Sequence, residues 1–176
     1  MAKLKDSLTV LYYSSSHEKP EFEQKIIESL QEACGDLPII SVSQKPLNLG
    51  KNICVGDVGL SYLNEWRQIS IGAKEVKTPY IVFAESDHLY PKEYFSFVPP
   101  KKGLYRYDNC WVVFKDVKRA GSYRRKLFSD GAQIWDTNSV IEIHERFLAG
   151  KPQWGAGEYD EQILNVPFDF FRGNIA

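Results

Sequence analysis

The sequence is poor in the features that mark secreted and membrane proteins. Its 176 residues include only three cysteines, Cys34, Cys54 and Cys110, which lack the spacing of a metal site. An odd and sparse set of this kind does not form a disulfide framework, so we expect a reducing compartment and a cytoplasmic location. No apolar run approaches the roughly 20 residues of a membrane span, and no long apolar segment follows the N-terminal lysines. We therefore expect neither a membrane span nor a signal peptide.

An excess of charge of one sign is also missing. Lys and Arg together number 22 and Asp and Glu 23, so the formal net charge is −1. This balance argues against binding nucleic acid through bulk charge. A local basic patch stays open, because the stretch 115–126 is rich in Lys and Arg and contains Tyr123. Such a stretch is either a solvated face or a surface for a diphosphate or a nucleic-acid backbone.

Glycine-rich phosphate-binding motifs are absent as well. The sequence has no Gly-x-Gly-x-x-Gly and no P-loop, which counts against a dinucleotide oxidoreductase and a P-loop nucleotidase. The segment 14–20 reads Ser-Ser-Ser-His-Glu-Lys-Pro, where a nucleotidyltransferase would normally have a glycine-rich loop. No Ser-His-Asp or Cys-His arrangement for nucleophilic catalysis stands out.

What the first half does contain is an alternation of strand and helix patterns. Strand-forming residues fill 8–13, and apolar residues then recur at helical spacing over 20–34. Gly35 stands at the position of a helix C-cap, and a second strand is predicted at 38–43. This order predicts a right-handed βαβ unit in a parallel sheet.

The rest of the chain continues this pattern less regularly. After a predicted loop at 44–57, one face of a second helix is marked by Tyr62, Trp66, Ile69 and Ala73. Further strands are predicted at 80–84, 110–115 and 132–135. Thr137 is the predicted cap of a last helix, with His144 on its apolar face. The sequence thus predicts an α/β fold in one domain, with a mostly parallel central sheet and helices on both faces.

The sharpest local feature is Glu85-Ser86-Asp87, directly after the third predicted strand. Open α/β sheets bind ligands at the carboxyl ends of their strands. Two carboxylates two residues apart can converge on one Mg²⁺ or Mn²⁺ ion, and the adjacent His88 offers a further ligand to a metal or phosphate. The alternative is that the acids only cap the next turn.

A longer series leads into these acids. It consists of Arg67, the small pair Gly72-Ala73, and the run 78–91, in which a buried strand passes into the acids and then a proline. This series resembles a signature of the GT-A fold glycosyltransferases, particularly the family 2-like nucleotide-diphospho-sugar transferases. The resemblance covers residues 8–96 and implies one GT-A-like, Rossmann-like domain. Residues 1–98 would be its nucleotide-sugar-binding half and residues 99–176 its acceptor-side half.

The resemblance also implies roles for individual residues. Glu85 and Asp87, with His88 beside them, would hold Mn²⁺ or Mg²⁺ at the diphosphate of a nucleotide-sugar donor, with a UDP-sugar favoured. Further donor contacts are implied at Ser14, Ser15, Ser16, Ser43, Gln44, Arg67 and Ser86. Ser43 and Gln44 stand where the family usually has an acidic pair, and Arg67 is alternatively a helix-surface ion pair.

Two features nearer the C-terminus complete the expected site. Trp154, in a loop flanked by Pro and Gly, is a candidate platform for stacking a sugar or base. The cluster 158–161 resembles the acidic motif that holds the catalytic base of inverting members, with Asp160 favoured over Glu161 and Glu158. A carboxylate there could accept the proton of the attacking hydroxyl; alternatively, the cluster is a solvated first helical turn.

The expected function is therefore metal-dependent transfer of a sugar from a nucleotide-diphosphate donor to an acceptor hydroxyl. The alternatives are a nucleotidyltransferase and a non-catalytic nucleotide- or nucleic-acid-binding module. The acceptor is left open among a glycan, a protein, a lipid-linked intermediate and a modified nucleic-acid base, and so is the oligomeric state. Because the chain is short for the family it resembles, we expect either a minimal member or a fragment.

Overall fold

The first half of the chain alternates between strand and helix, as predicted. The computed structural model describes residues 4–114, 118, 121–155 and 166–172. Its first elements are α1 (Leu4–Ser7), β1 (Leu8–Ser14), α2 (Pro20–Cys34), β2 (Ile39–Ser43), β3 (Lys51–Cys54), α3 (Tyr62–Ala73) and β4 (Tyr80–Glu85). A 3-10 helix (Lys92–Ser96) then leads into the second half, which consists of β5 (Leu104–Tyr107), β6 (Cys110–Val113), β7 (Tyr123–Lys126), β8 (Gln133–Asp136), α4 (Thr137–Leu148) and β9 (Phe168–Phe171).

A seven-stranded sheet organises these elements in the order β3-β2-β1-β4-β8-β5-β9. The strands β3, β2, β1 and β4 pair in parallel. Strand β8 is antiparallel to both β4 and β5, and β9 is parallel to β5. Only β8 therefore runs against the other strands of this sheet, which confirms the predicted α/β class and mostly parallel sheet. Strands β6 and β7 form a separate two-stranded hairpin.

Each face of the sheet carries its own apolar core. Val10 and Tyr12 of β1 join a cluster with α2 and the 3-10 helix, whereas Leu11 and Tyr13 join a cluster with α3 and α4. This alternation follows from the two-residue period of a strand. It confirms that helices cover both faces. The parallel pairing of β1 with β2 and β4 brings the carboxyl ends of these three strands to one edge.

The glycine of the Gly72-Ala73 pair allows α3 to approach the sheet closely. A Cβ added at Gly72 would lie 2.3 Å from Leu11 Cδ1 and 2.9 Å from Val42 Cγ2. Both neighbours are fully buried, so they have little room to retreat. The small pair of the sequence signature therefore has a packing role on β1 and β2.

Several boundaries differ from the sequence predictions. Strand β3 lies inside the predicted loop 44–57 as a short, partly exposed edge strand, and β7 lies inside the basic stretch. Thr137 is the first residue of α4 rather than its cap; the N-cap is Asp136, whose Oδ1 accepts from the Ser139 amide at 3.1 Å. None of the helices in the described ranges combines the length and the apolar character that a membrane crossing requires.

Candidate functional site

A cleft of about 370 Å³ opens at the carboxyl ends of β1, β2 and β4. Ser14 and Ser15 border it from β1, Gln44 from the end of β2, and the acidic turn from the end of β4. The remaining wall is formed by the segment before α3, from Gly59, and by the first turns of α3, as far as Gln68. This is the position at which open α/β sheets place their ligands.

The acidic turn after β4 folds its side chains onto one another. His88 Nδ1 lies 2.6 Å from Asp87 Oδ1 and 3.2 Å from Glu85 Oε2. The Tyr13 hydroxyl donates to Glu85 Oε1 at 2.5 Å, and His88 Nε2 is 2.9 Å from Ser129 Oγ. The turn is thus held from β1 on one side and from the segment before β8 on the other.

The electrostatics of this turn favour a positive charge between the two carboxylates. Burial raises the pKa of Glu85, although the charge of His88 and the Tyr13 hydrogen bond act in the opposite direction. Burial lowers the pKa of His88, but the hydrogen bond to Asp87 and the charges of Glu85 and Asp87 outweigh it, so the pKa of His88 is raised. The two acids therefore favour the imidazolium form of His88, whose single positive charge offsets only part of their negative charge.

A glycine and a tyrosine form the back wall of the turn. A Cβ on Gly131 would lie 2.4 Å from Glu85 Cδ, so a side chain there would displace the carboxylate. The buried Tyr90 hydroxyl accepts from the Glu85 amide at 2.9 Å and donates to the Gly131 carbonyl at 2.7 Å. Together they fix the distance between the acidic turn and the segment before β8.

The donor set of the turn fits a divalent cation. Glu85, Asp87 and His88 each offer one ligand atom, and these atoms lie within 4.8 Å of one another. Carboxylate oxygens suit Mg²⁺ and Mn²⁺, and an imidazole nitrogen is a ligand of the later divalent metals. A cation would take the place of the positive charge that His88 supplies here, once Nδ1 has lost its proton.

The serines after β1 hold the local chain as well as facing the cleft. Ser14 Oγ donates to the buried Glu23 at 2.5 Å and accepts from the Ser16 amide at 2.9 Å. Ser16 has a positive φ of 55°, and its hydroxyl accepts from the Lys45 amide at 3.1 Å. Ser14 and Ser15 line the cleft, whereas Ser16 connects the loops that follow β1 and β2.

Gln44 anchors the loop that forms the cleft wall. Its Oε1 accepts from the amides of Val58 and Gly59 at 3.0 and 3.2 Å, and its Nε2 donates to the Gly59 carbonyl at 2.9 Å. Ser43 lies outside the cleft lining; its hydroxyl donates to the Lys45 carbonyl at 2.5 Å. Of the two donor contacts predicted after β2, Gln44 therefore lines the cleft, whereas Ser43 lies outside its lining.

Arg67 and Trp154 do not line the cleft. The Arg67 guanidinium donates to the carbonyls of Lys151, Pro152 and Gln153 at 2.8–3.2 Å, so it neither contacts the acidic turn nor pairs with an acid there. Trp154 is partly buried in the loop that Arg67 holds. This arrangement gives no support to direct nucleotide contact by Arg67, and the stacking role of Trp154 stays a prediction.

The same loop reaches the cleft through Asn64. The Asn64 side chain accepts from the Gly155 amide at 2.7 Å and donates to the Gly155 carbonyl at 3.1 Å. The predicted base Asp160, with Glu161 and Glu158, follows in the sequence but lies outside the described residues.

The described lining of the cleft is acidic. It includes Glu18, Glu65, Glu85 and Asp87, and these described lining residues include no Lys or Arg. A diphosphate entering the cleft would therefore meet negative charge at close range, where repulsion in a partly buried site is strong. A bound cation would remove this obstacle.

Comparisons with known proteins identify a fold rather than a family. No family model and no curated protein matches the sequence. The chain is similar to bifunctional IspDF from Campylobacter jejuni, with a TM-score of 0.51 and 8% identity over 96% of this chain and 50% of that one. It is also similar to residues 1–349 of S. aureus TarS, with a TM-score of 0.50 and 13% identity over 78% of this chain and 49% of that one.

A further match is a glycosyltransferase involved in the glycosylation of the major capsid of PBCV-1, with a TM-score of 0.48 and 14% identity over 83% of this chain and 68% of that one. The chain spans about half the length of the IspDF and TarS chains. At these identities the likeness shows the α/β fold alone.

Proposed function

We propose that this domain transfers a sugar from a nucleotide-diphosphate donor to an acceptor hydroxyl, with the help of a divalent cation. The observation that carries the proposal is the convergence of Glu85, Asp87 and His88 at the edge of a cleft whose described lining includes no Lys or Arg. A diphosphate needs positive charge to bind there, and this donor set can hold it. The sequence resemblance and the fold support the same function.

In this proposal Glu85 and Asp87 hold Mn²⁺ or Mg²⁺, with His88 as a third ligand. The cation would neutralise the charge that develops on the departing diphosphate. Tyr13 and Gly131 orient the Glu85 carboxylate, since the first donates a hydrogen bond to it and the second leaves room for it. Such supporting contacts determine how well a ligand presents its oxygen.

The nucleoside of the donor is proposed to lie between the end of β1 and the start of α3. Ser14, Ser15 and Gln44 supply polar groups there, and Leu60 and Tyr62 supply an exposed apolar rim. A UDP-sugar is the favoured donor. Asp160, with Glu161 or Glu158 as substitutes, is proposed to accept the proton of the attacking hydroxyl.

A thermal-shift screen of nucleotides and sugar nucleotides, each with and without Mn²⁺, tests the proposal. A ligand at about 100 times its Kd adds about 2.7 kcal/mol to the free energy of unfolding, which raises the Tm by roughly 5–10 °C in a domain of this size. We expect such a shift with one nucleotide, only when Mn²⁺ is present, and none in Asp87→Asn.

Product analysis separates the proposal from its alternatives. A glycosyltransferase releases a nucleoside diphosphate from a sugar nucleotide, at least slowly to water. Release of pyrophosphate from a nucleoside triphosphate in the presence of a sugar phosphate would instead identify a nucleotidyltransferase. Binding without either product would leave a non-catalytic module.

A further inference from the structure

The β6–β7 hairpin presents aromatic rings to solvent. Its described residues are 110–114, 118 and 121–126. Trp111 pairs with Arg125 and Val113 with Tyr123. Directly opposed residues of an antiparallel pair share a face, so these four side chains lie together. Trp111 is 52% exposed and Tyr123 68% exposed, and their rings meet edge to face at 5.5 Å.

The Trp111 ring and the Arg125 side chain are each held by a hydrogen bond although they are exposed. The Trp111 indole donates to Asn109 Oδ1 at 3.0 Å, and Arg125 donates to the Asp108 carbonyl at 2.9 Å. An exposed ring that is fixed at its edge has its face available to a partner. Exposed aromatic area of this kind is unfavourable in water unless something covers it.

The hairpin is also the basic part of the described surface next to the cleft. Arg124, Arg125 and Lys126 are exposed, and the described residues of 110–127 include no Asp or Glu. Arg125 shares the face of the two rings, whereas Arg124 and Lys126 lie on the opposite face, because side chains alternate along a strand. The rings and Arg125 provide both contacts that single-stranded nucleic acid uses, namely stacking for its bases and a cation for its phosphates. A polyanion without planar groups would leave the rings uncovered.

A short segment joins the hairpin to the acidic turn. Ser129, three residues beyond the end of β7, bonds His88 of the acidic turn at 2.9 Å, and Gly131 lies against Glu85. Ser129 and Gly131 thus connect the end of β7 to the acidic turn.

We propose that the exposed face of the hairpin, formed by Trp111, Tyr123 and Arg125, binds single-stranded nucleic acid, with Arg124 and Lys126 on the opposite face adding to the positive potential of the hairpin. The binding is independent of the donor and of catalysis. A failure of this proposal is therefore distinguishable from a failure of the proposed function.

Fluorescence anisotropy of a 5′-labelled 12-nucleotide oligo(U), titrated with the full chain at several salt concentrations, tests the proposal. One phosphate contact, by Arg125, predicts a slope of about −0.7 in a plot of log affinity against log salt. Arg125→Gln should reduce that slope by about 0.7. Trp111→Leu and Tyr123→Leu keep an apolar residue in the strand but remove the ring, and each should weaken binding by about 5-fold or more.

Lys25→Gln, on the exposed side of α2, is the matched control for loss of one positive charge and should bind as the wild type does. Inorganic polyphosphate should compete poorly, because it carries the charge without the bases. The proposal is overturned by absence of binding, by ring variants that bind like the wild type, or by polyphosphate that competes as well as oligo(U). It is also overturned if sedimentation shows a dimer that Trp111→Leu dissociates, because a second copy would then cover the face.

Discussion

Gly131 gives a direct way to move the Glu85 carboxylate without touching its chemistry. An alanine Cβ at this position would lie 2.4 Å from Glu85 Cδ and 2.5 Å from Oε2, whereas ordinary contact begins at 3.4 Å. The carboxylate must therefore retreat by about 1 Å, since 3.4 − 2.4 = 1.0. It is the end of a flexible side chain, so the backbone can stay in place.

A displacement of this size separates Glu85 from its partners. The hydrogen bond from Tyr13, at 2.5 Å, and the contact with His88, at 3.2 Å, both depend on the present position of the carboxylate. Loss of the contacts that orient a ligand typically weakens metal binding by about 10–100-fold, which corresponds to about 1.4–2.7 kcal/mol. Gly131→Ala should thus lower Mn²⁺ affinity by that factor while the domain stays folded.

Isothermal titration calorimetry with Mn²⁺ measures this effect, and urea denaturation measures the stability of the same samples. Gly72→Ala is the matched control, because its Cβ would press on Leu11 in the core instead. Overpacking costs about 1–3 kcal/mol, less about 1 kcal/mol gained from helix propensity, and the Mn²⁺ affinity of Gly72→Ala should not change. If folded Gly131→Ala binds Mn²⁺ like the wild type, Glu85 is not a ligand.

Three further predictions concern the scaffold around the site. Burial lowers the pKa of His144 to about 4, although its hydrogen bond to Val140 acts in the opposite direction. The unfolded chain therefore takes up the proton first as the pH falls, and about 2 kcal/mol of stability should be lost between about pH 8 and pH 5. Urea unfolding at each pH should show that His144→Leu does not lose this amount, about 2 kcal/mol. Gln44→Ala leaves two loop amides, those of Val58 and Gly59, without their acceptor, so both should exchange hydrogen faster and stability should fall by about 1–3 kcal/mol. Asp136→Ala removes the N-cap of α4 and should cost about 1–2 kcal/mol in chemical denaturation.

One result would contradict each of these three predictions. The loss of stability at low pH would be equal in wild type and His144→Leu if another group titrates. Unchanged exchange at the Val58 and Gly59 amides would mean that Asn64 alone holds the loop, since it also bonds the carbonyls of both residues. An Asp136→Ala variant as stable as the wild type would show that the cap contributes nothing measurable.

The elements that the sequence predicted are those with a strong periodic signal of their own. The strand of β1, the helix α2 with its proline start and glycine end, and the buried run of β4 all appear where the pattern places them. Their apolar residues recur with the period of the structure they form. Local pattern and tertiary packing agree at these positions.

The missed strands β3 and β9 depend on pairing with another strand, which for β9 is distant in sequence. The edge strand β3 pairs with β2, and β9 pairs with β5. Neither four-residue strand alternates between buried and exposed residues, so neither shows the two-residue period of a half-buried strand. Their strand conformation comes from pairing with a neighbour that is already in place. A single sequence does not reveal that neighbour.

The candidate site shows the same division. Glu85, Asp87 and His88 are adjacent in sequence, so their cluster could be predicted, whereas Tyr13 joins from 72 residues away and Ser129 from 41 residues away. The buried Glu23 was missed, although a signal existed. It stands three, four and seven residues before Ile26, Ile27 and Leu30, on the apolar stripe of α2, where a charged residue needs a partner.

The most direct test of the proposed metal site is a titration of Mn²⁺ followed by electron paramagnetic resonance, with and without UDP. The wild type should bind one Mn²⁺ at this site, and UDP should bind only when that ion is present. Asp87→Asn should lose both, whereas Asp36→Asn, an exposed carboxylate beyond the C-terminal end of α2, should keep both. Equal binding of UDP by wild type and Asp87→Asn, or undiminished binding of UDP in a chelator, would contradict the proposed metal site and the mechanism built on it.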